Sequence, residues 1–295
     1  MRTLISGLLA FTLAACSAAP APARPAIWKV ADPDTTIYLF GTVHVLPPRI
    51  DWQTPRLKDT LASADELVLE IADQDDKQQM AATFAGLAIS PGLPPLADRL
   101  PADRRAKLDA LLAKAGLKPG QLDMLETWAA AVTLGSAVYA GMGMTVENGV
   151  ERQLTRAFKD NGKDKGKNKR IDGLETTAQQ LGYFDTLDEA TQRELLTSIV
   201  DDSDKAAADF DQMITAWSRG DVKAIAETFD NELRRSPELA EVLLDRRNAN
   251  WVGWLRDRMD RPGTVVVAVG AGHLAGKGSV IERLEAAGLR VERVQ

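Results

Sequence analysis

The chain has 295 residues, of which 45% are apolar and 26% charged, with 36 basic against 42 acidic side chains and a net charge of −6. That length allows one large α/β domain or two smaller ones, and the acidic balance argues against nucleic acid as a partner. One cysteine excludes an internal disulfide, and with two histidines any imidazole chemistry must use His44 or His273.

The first fifteen residues read as a leader. Met1-Arg2 gives a basic start, Leu4 to Ala15 is apolar, and Leu13-Ala14-Ala15-Cys16 follows. This layout is that of a bacterial secretory signal, and it resembles the lipobox, which implies lipidation of Cys16 as the mature amino terminus. Ordinary cleavage at a small-residue site within Ser17 to Ala23 is the alternative. By the same resemblance, Ser17 is compatible with outer-membrane sorting. Loss of residues 1–15 removes Arg2 and no acid, for a mature charge of −7. Residues 16–26, with Pro20 to Pro25 extended, form a tether, and 27–295 a single domain. No other stretch is apolar for long enough to span a bilayer. The expectation is a lipoprotein of the bacterial envelope, on the outer membrane facing the periplasm, that meets the membrane through its lipid anchor only.

Within the domain, Ile27 to Val30, a Pro/Asp turn and Thr36 to Phe40 predict a hairpin. Val45 to Pro55 is a proline-rich loop carrying Trp52, and Thr54-Pro55 caps a short helix to Ser63. Glu66 to Ile71 (ELVLEI) is a short apolar run with an acid inside it. Helices are predicted over Gln74–Ile89, Pro101–Ala115 with Gly116 as its stop, and Gln121–Tyr139. Val146–Lys159 is amphipathic, with Val150, Leu154 and Phe158 at four-residue steps. Lys159 to Arg170 has no apolar residue and reads as a loop, and Arg170 to Glu175 as a short strand. Thr176 to about Met259 is nearly all helix, with breaks at Tyr183–Asp188, Asp201–Asp204 and Arg219–Asp221. Strand 264–269, helix 279–287 and strand 289–294 close the chain. The fold class is α/β: a mixed central sheet formed from both ends of the chain, with a large helical insertion between.

Both histidines end the same pattern, an apolar strand followed by Gly-x-x-His: TIYLFGTVH to His44 and TVVVAVGAGH to His273. A glycine at a strand end lets the backbone turn sharply, which places each imidazole at the carboxyl edge of the sheet, where ligands of open α/β folds bind. Imidazole is the commonest metal ligand and the side chain best suited to proton transfer near neutral pH. A shared ion needs a third donor. Glu70, at the carboxyl end of its run, reaches the same edge, although a solvated strand-end carboxylate is equally common. Glu175 makes the same argument more weakly. Two imidazoles and one carboxylate suit Zn, Mn, Fe or Co. On a helix Arg247 and Trp251 share a face, so Arg247 either holds a carboxylate or developing oxyanion or belongs to a basic surface packed through its tryptophans. Gly270-Ala271-Gly272-His273-Leu274-Ala275 also fits a dinucleotide fingerprint, but the chain stops at Gln295 before a second half could follow.

Together Ile37 to His44, the ELVLE run ending at Glu70, Gly173 to Thr176, Arg247-Asn248 and Val269 to Leu274 resemble the TraB/GumN family in order and spacing over nearly all of the mature chain. Similarity to the Tiki members of that clan implies metal-dependent peptidase chemistry with both GxxH histidines and a glutamate essential. Similarity to erythromycin esterase and ChaN-like proteins implies an α/β sheet with the site at its strand ends. The expected function is therefore a metal-dependent hydrolase acting on a peptide or small-molecule substrate. His44, His273 and Glu70 would bind a divalent transition metal, and Glu70, Glu175, Arg247 and Asn248 would serve catalysis. Two other classes fit the same residues: a non-catalytic metal- or haem-binding envelope lipoprotein, and a polysaccharide-export accessory protein.

Overall fold

Six short strands carry the architecture of the computed structural model, which describes residues 23–47, 50–72, 76–165, 169–233 and 236–295. The leader, Cys16 and Ser17 lie outside the described residues. Of the expected tether, residues 23–26 are described and lie against the body: Ala23 and Ala26 are buried, and the Arg24 N–H donates to the Ser218 carbonyl at 2.6 Å.

The hairpin is β1 (Ile27–Ala31) and β2 (Thr35–Thr42). Its turn is fixed by the Asp32 carboxylate, which accepts from the Asp34 and Thr35 N–H groups at 3.1 and 2.7 Å, an aspartate turn of the usual kind. With β3 (Glu66–Ile71), β4 (Arg170–Glu175), β5 (Gly263–Gly270) and β6 (Val291–Arg293), these form one sheet in the order β4-β3-β5-β2-β1-β6. β1 runs antiparallel to both of its neighbours; β4, β3, β5 and β2 are mutually parallel. The two GxxH strands are therefore direct neighbours, in register from Thr35↔Gly263 to Thr42↔Gly270. The sheet is mixed, as expected. Because β3 and β4 come from the middle of the chain, the helical insertion is divided in two by β4.

Helices cover both faces, which is why the central strands read as continuous apolar runs; all six residues of β3 are buried. One face packs Phe40, Leu67, Leu69 and Val266 against α1 (Pro55–Ser63), α5 (Val150–Lys165), α8 (Ala206–Arg219) and α9 (Val222–Leu233). The other packs Val68, Val265 and Val267 against Trp251, Val252 and Leu255 of α11 (Arg246–Met259) and Leu284 of α12 (Val280–Ala286). A further helical layer has its own apolar centres around Leu134, Leu196 and Trp128. It is built from α2 (Lys77–Ala88), α3 (Arg105–Lys114), α4 (Thr127–Gly141), α6 (Thr177–Asp185) and α7 (Glu189–Asp202). A four-residue α10 (Pro237–Ala240) runs through a π-turn, Glu241–Asp245, into α11.

Two sequence expectations move. The helix predicted from Gln121 begins at Thr127, because Leu122 to Leu125 turns instead to pair with the end of α2: Ile89 bridges Leu125, and the Glu126 N–H donates to the Ala88 carbonyl at 2.7 Å. The buried Arg99 guanidinium pins that turn through the carbonyls of Pro94, Asp123 and Leu125. The loop predicted from Lys159 is helical as far as Lys165, and lysine is a good helix former. Residues 166–168 lie outside the described residues.

The proline-rich segment after His44 is anchored by aromatic packing. The Trp52 ring lies 5.9 Å from Phe40 and 6.0 Å from Trp217 between centroids, and Trp217 Nε1 donates to the Gly41 carbonyl at 2.8 Å. Trp52 Nε1 has no acceptor among the described residues. Trp217→Phe strands a buried carbonyl whereas Trp52→Phe does not, so the Trp217 variant should lose about 1–3 kcal/mol more in urea unfolding. Equal losses would show that the indole bond to Gly41 contributes nothing.

Candidate functional site

The four parallel strands end on one edge, and the expected site residues stand there. Glu70 is the penultimate residue of β3 and Glu175 the last of β4; His273 lies in the short 3₁₀ turn Ala271–Leu274 after β5, and Arg247 and Asn248 open α11. All five are buried.

One guanidinium joins them. Arg247 Nη2 donates to Glu70 Oε2 at 2.6 Å and to Glu175 Oε2 at 2.9 Å, its Nε donates to Glu175 Oε1 at 2.9 Å, and its Nη1 lies 3.1 Å from His273 Nε2. Trp251 Nε1 adds a bond to Glu175 at 3.0 Å, and its ring lies 4.7 Å from the guanidinium carbon. Gln180 of α6 donates to Glu70 Oε2 at 2.9 Å, and the Gly270 N–H to Glu70 Oε1 at 2.7 Å. Burial opposes ionisation of Glu70, but His273 where it is protonated, then the Arg247 and His44 cations and the Gly270 N–H, outweigh it and hold the carboxyl at about 2. Burial likewise works against the Arg247 cation, and Glu70 and Glu175 more than restore it.

The tautomer of His273 follows from its neighbours. Asn248 Nδ2 donates to the Gly278 carbonyl at 3.0 Å, so its Oδ1 faces His273 Nδ1, 2.7 Å away. Nδ1 must then carry the proton and Nε2 the lone pair, which accepts from Arg247. Burial first, and then the positive charges of Arg247 and His44, push His273 down to about 3, so its ring is neutral.

His44 is placed differently. Its side chain is 66% exposed where that of His273 is 8% exposed, and its Nδ1 is bound by Glu151 Oε1 at 2.7 Å. Thr42 Oγ1 donates to the same oxygen at 2.6 Å. The Glu151 charge beside it lifts His44 to about 9. Glu151 itself is held below its usual range by His44 and Thr42 in spite of its burial. His44 is bonded to Glu151 and not to Glu70 or His273, although its charge is felt by both. His273 Nε2 and Glu70 Oε1 are 4.0 Å apart. Among the described residues no three His, Cys, Asp or Glu side chains are gathered at the spacing of a metal cluster.

The glycines of the two motifs work by close approach, not by the sharp turn expected of them; neither Gly41 nor Gly270 has a positive φ. A Cβ on Gly41 would stand 3.1 Å from the Ala271 Cα, and one on Gly270 would stand 3.2 Å from Glu70 Oε1. The first lets the His273 turn rest on β2, and the second lets Glu70 reach the backbone. Gly149 has the same role for the other histidine, since a Cβ there would be 2.1 Å from the His44 carbonyl oxygen.

Glu151, Gln180 and the π-turn before Arg247 were missed by sequence reasoning. Glu151 had a signal: it falls at helical spacing with Leu154 and Phe158, an acid on the apolar stripe of α5. The other glutamate of the ELVLEI run, Glu66, is at the opposite edge and pairs with Arg170 and Arg258.

A model of the TraB/PrgY/gumN family matches residues 26–293, from the threshold of β1 to the end of β6. The chain belongs to that family. It is 26% identical over 260 residues, 88% of its own length and 92% of the relative's, to a protein of Escherichia coli (strain K12) named Uncharacterized protein YbaP. A protein of the same name from Shigella flexneri is 26% identical over 247 residues, 84% of this chain and 87% of that one. No solved structure matches the chain.

Removal of Arg247 would leave two buried carboxylates unpaired, so Arg247→Met should destabilise the fold by about 3–5 kcal/mol in urea unfolding. A loss below about 1 kcal/mol would mean that Glu70 and Glu175 are solvated without it. Gly149→Ala should displace the start of α5 and lower the melting temperature, whereas Gly253→Ala, where a Cβ meets nothing within 4 Å, should not. Equal melting temperatures would refute the close approach to His44.

Proposed function

We propose that this chain is a metal-dependent hydrolase of the bacterial cell envelope, with peptidase, esterase or amidase chemistry at the carboxyl edge of the sheet. The observation that carries this reading is the way the imidazoles are pinned. Each has its Nδ1 fixed by an oxygen, His44 by Glu151 and His273 by Asn248, at 2.7 Å in both cases. Metal-binding histidines are held in this manner, with the other nitrogen left to the ion. With the Arg247 Nη1 bond to His273 Nε2 released and His44 deprotonated, two Nε2 atoms and the Glu70 carboxylate would give a donor set whose chemistry suits a divalent transition ion such as Mn, Co, Zn or Fe. The charge balance suits one as well, since two buried carboxylates, Glu70 and Glu175, share a single buried guanidinium. Such an ion supplies Lewis acidity, which polarises a carbonyl and makes water nucleophilic near neutral pH.

The chain's own residues do the rest. Asn248 and Glu151 are positioning residues that fix the two imidazole tautomers. Glu175 and Trp251 orient Arg247, whose guanidinium would bind a substrate carboxylate or a developing negative oxygen by exchanging its Nη1 contacts with His273 and the Leu243 carbonyl. Gln180 and the Gly270 N–H hold Glu70 in its rotamer. The expected leader and Cys16 supply the envelope location and the lipid anchor of this reading.

The test is metal binding and turnover by the purified mature chain. Titration calorimetry with Mn²⁺, Co²⁺ and Zn²⁺ should show one ion per chain, lost in His44→Ala and in His273→Ala. Asn248→Leu and Glu151→Gln should weaken the ion by about 10–100-fold without abolishing it. Chelator should stop hydrolysis of a peptide and ester panel, and the ion should restore it. Absence of binding in the parent chain, with hydrolysis unchanged in both histidine variants, would overturn the proposal.

A further inference from the structure

A cavity of about 620 Å³ opens onto the site, with Arg247 and His273 among its lining residues. Its walls are helical, drawn from α4, α6, α7, α8, α9 and the π-turn, and they are largely apolar: Val138, Phe184, Leu195, Ile199, Phe229 and Leu243. These side chains are only partly buried, unlike the core residues around them. Polar and charged groups also line it, among them Asp202, Lys205, Asp209 and Gln212. The π-turn couples the cavity to the site, since Leu243 lines the wall while its carbonyl lies 3.4 Å from Arg247 Nη1. π-turns inside α-helices are often found at functional sites.

We propose that this cavity is the acyl-chain pocket of the site and takes the hydrocarbon tail of a long-chain ester, with the ester carbonyl at Arg247 and His273. The inference rests on the hydrolase reading for its chemistry but not for its binding. Three observations carry it. The volume lies within the roughly 300–1,000 Å³ of small-molecule sites, which are apolar with a few convergent polar groups. The cavity is continuous with the buried polar network. Its described walls are helices, whose backbone donors and acceptors are satisfied internally, so it offers no strand edge for an extended peptide to pair with. In the reaction the acyl C–O bond breaks, water supplies hydroxyl to the acyl carbon, and its remaining proton leaves with the alcohol.

The experiment uses the mature chain, an anilinonaphthalene dye as reporter and sodium alkanoates from acetate to dodecanoate as competitors. Displacement should strengthen with chain length and persist in His44→Ala, which lies outside the cavity. Ile199→Trp and Leu195→Trp, checked for folding by circular dichroism, should fill the pocket and weaken dodecanoate by about tenfold or more. Both should also lose any preference for dodecanoyl over acetyl nitrophenyl ester while acetyl ester turnover is retained. Dodecanoate binding without hydrolysis of any ester would uphold the pocket and count against the hydrolase reading. No displacement by dodecanoate, or unchanged dodecanoate affinity in both folded tryptophan variants, would overturn the pocket. If neither variant folds, the chain-length series decides, and an affinity flat with length overturns it.

Discussion

The arrangement at the sheet edge depends on one buried cation. Arg247 is reached from β3 through Glu70, from β4 through Glu175 and from the turn after β5 through His273. No aliphatic side chain could satisfy those three at once, and a lysine ammonium lacks the planar fork that bonds Glu175 through two nitrogens. Buried ion pairs of this kind are weak contributors to net stability, because desolvation offsets most of the attraction. What Arg247 does provide is geometric definition: with the guanidinium in place, Glu70 and Glu175 have one low-energy arrangement, and α11 has one docking position against the sheet. The neighbouring Asn248 uses that docking to fix His273, so two adjacent residues of one helix set the state of the site.

The two GxxH motifs look equivalent in sequence and are not equivalent in the fold. His273 follows β5 into a tight turn under α11 and is buried and neutral; His44 follows β2 toward solvent and is held as a cation by Glu151. The difference comes from what packs against each turn. Over His273 lie Trp251 and the Arg247 network, with the Trp251 ring 4.4 Å from the imidazole. Beside His44 lies the start of α5, brought close by Gly149. One imidazole is therefore rigid and sheltered, and the other is accessible with a carboxylate behind it.

Much of this was legible in the sequence because the strands are short, apolar and bounded by turn residues. The hairpin, ELVLEI, the strand ending at Glu175 and the closing strand-helix-strand unit all appear within a residue or two of their expected positions. The shared edge of Glu70, Glu175 and His273 was also accessible, since residues at the carboxyl ends of parallel strands stand together; His44, expected to converge with Glu70 and His273, bonds Glu151 instead, and Arg247 and Asn248 arrive on a helix that the strand-end argument does not place. Partners from the helical insertion were harder to see. Gln180 and the start of Thr127's helix depend on tertiary packing, to which periodicity is blind. The role of the motif glycines was misjudged for a related reason: a turn is a local property, whereas the contacts of Gly41 with Ala271 and of Gly270 with Glu70 join segments far apart in the chain.

The parallel pairing of β2 with β5 has a consequence for how the protein forms. Its two halves of the site are made at opposite ends of synthesis, and the strand bearing His273 must insert between β3 and β2, which have been waiting since the first part of the chain emerged. Such non-local closure is intrinsically slow and leaves strand edges open in the interval. A chain that has not released its last thirty or so residues has an unfilled gap in its sheet and a Glu70 beside it with no Gly270 N–H to accept from. The site cannot be assembled piecemeal, and its geometry is complete only at the final step of folding.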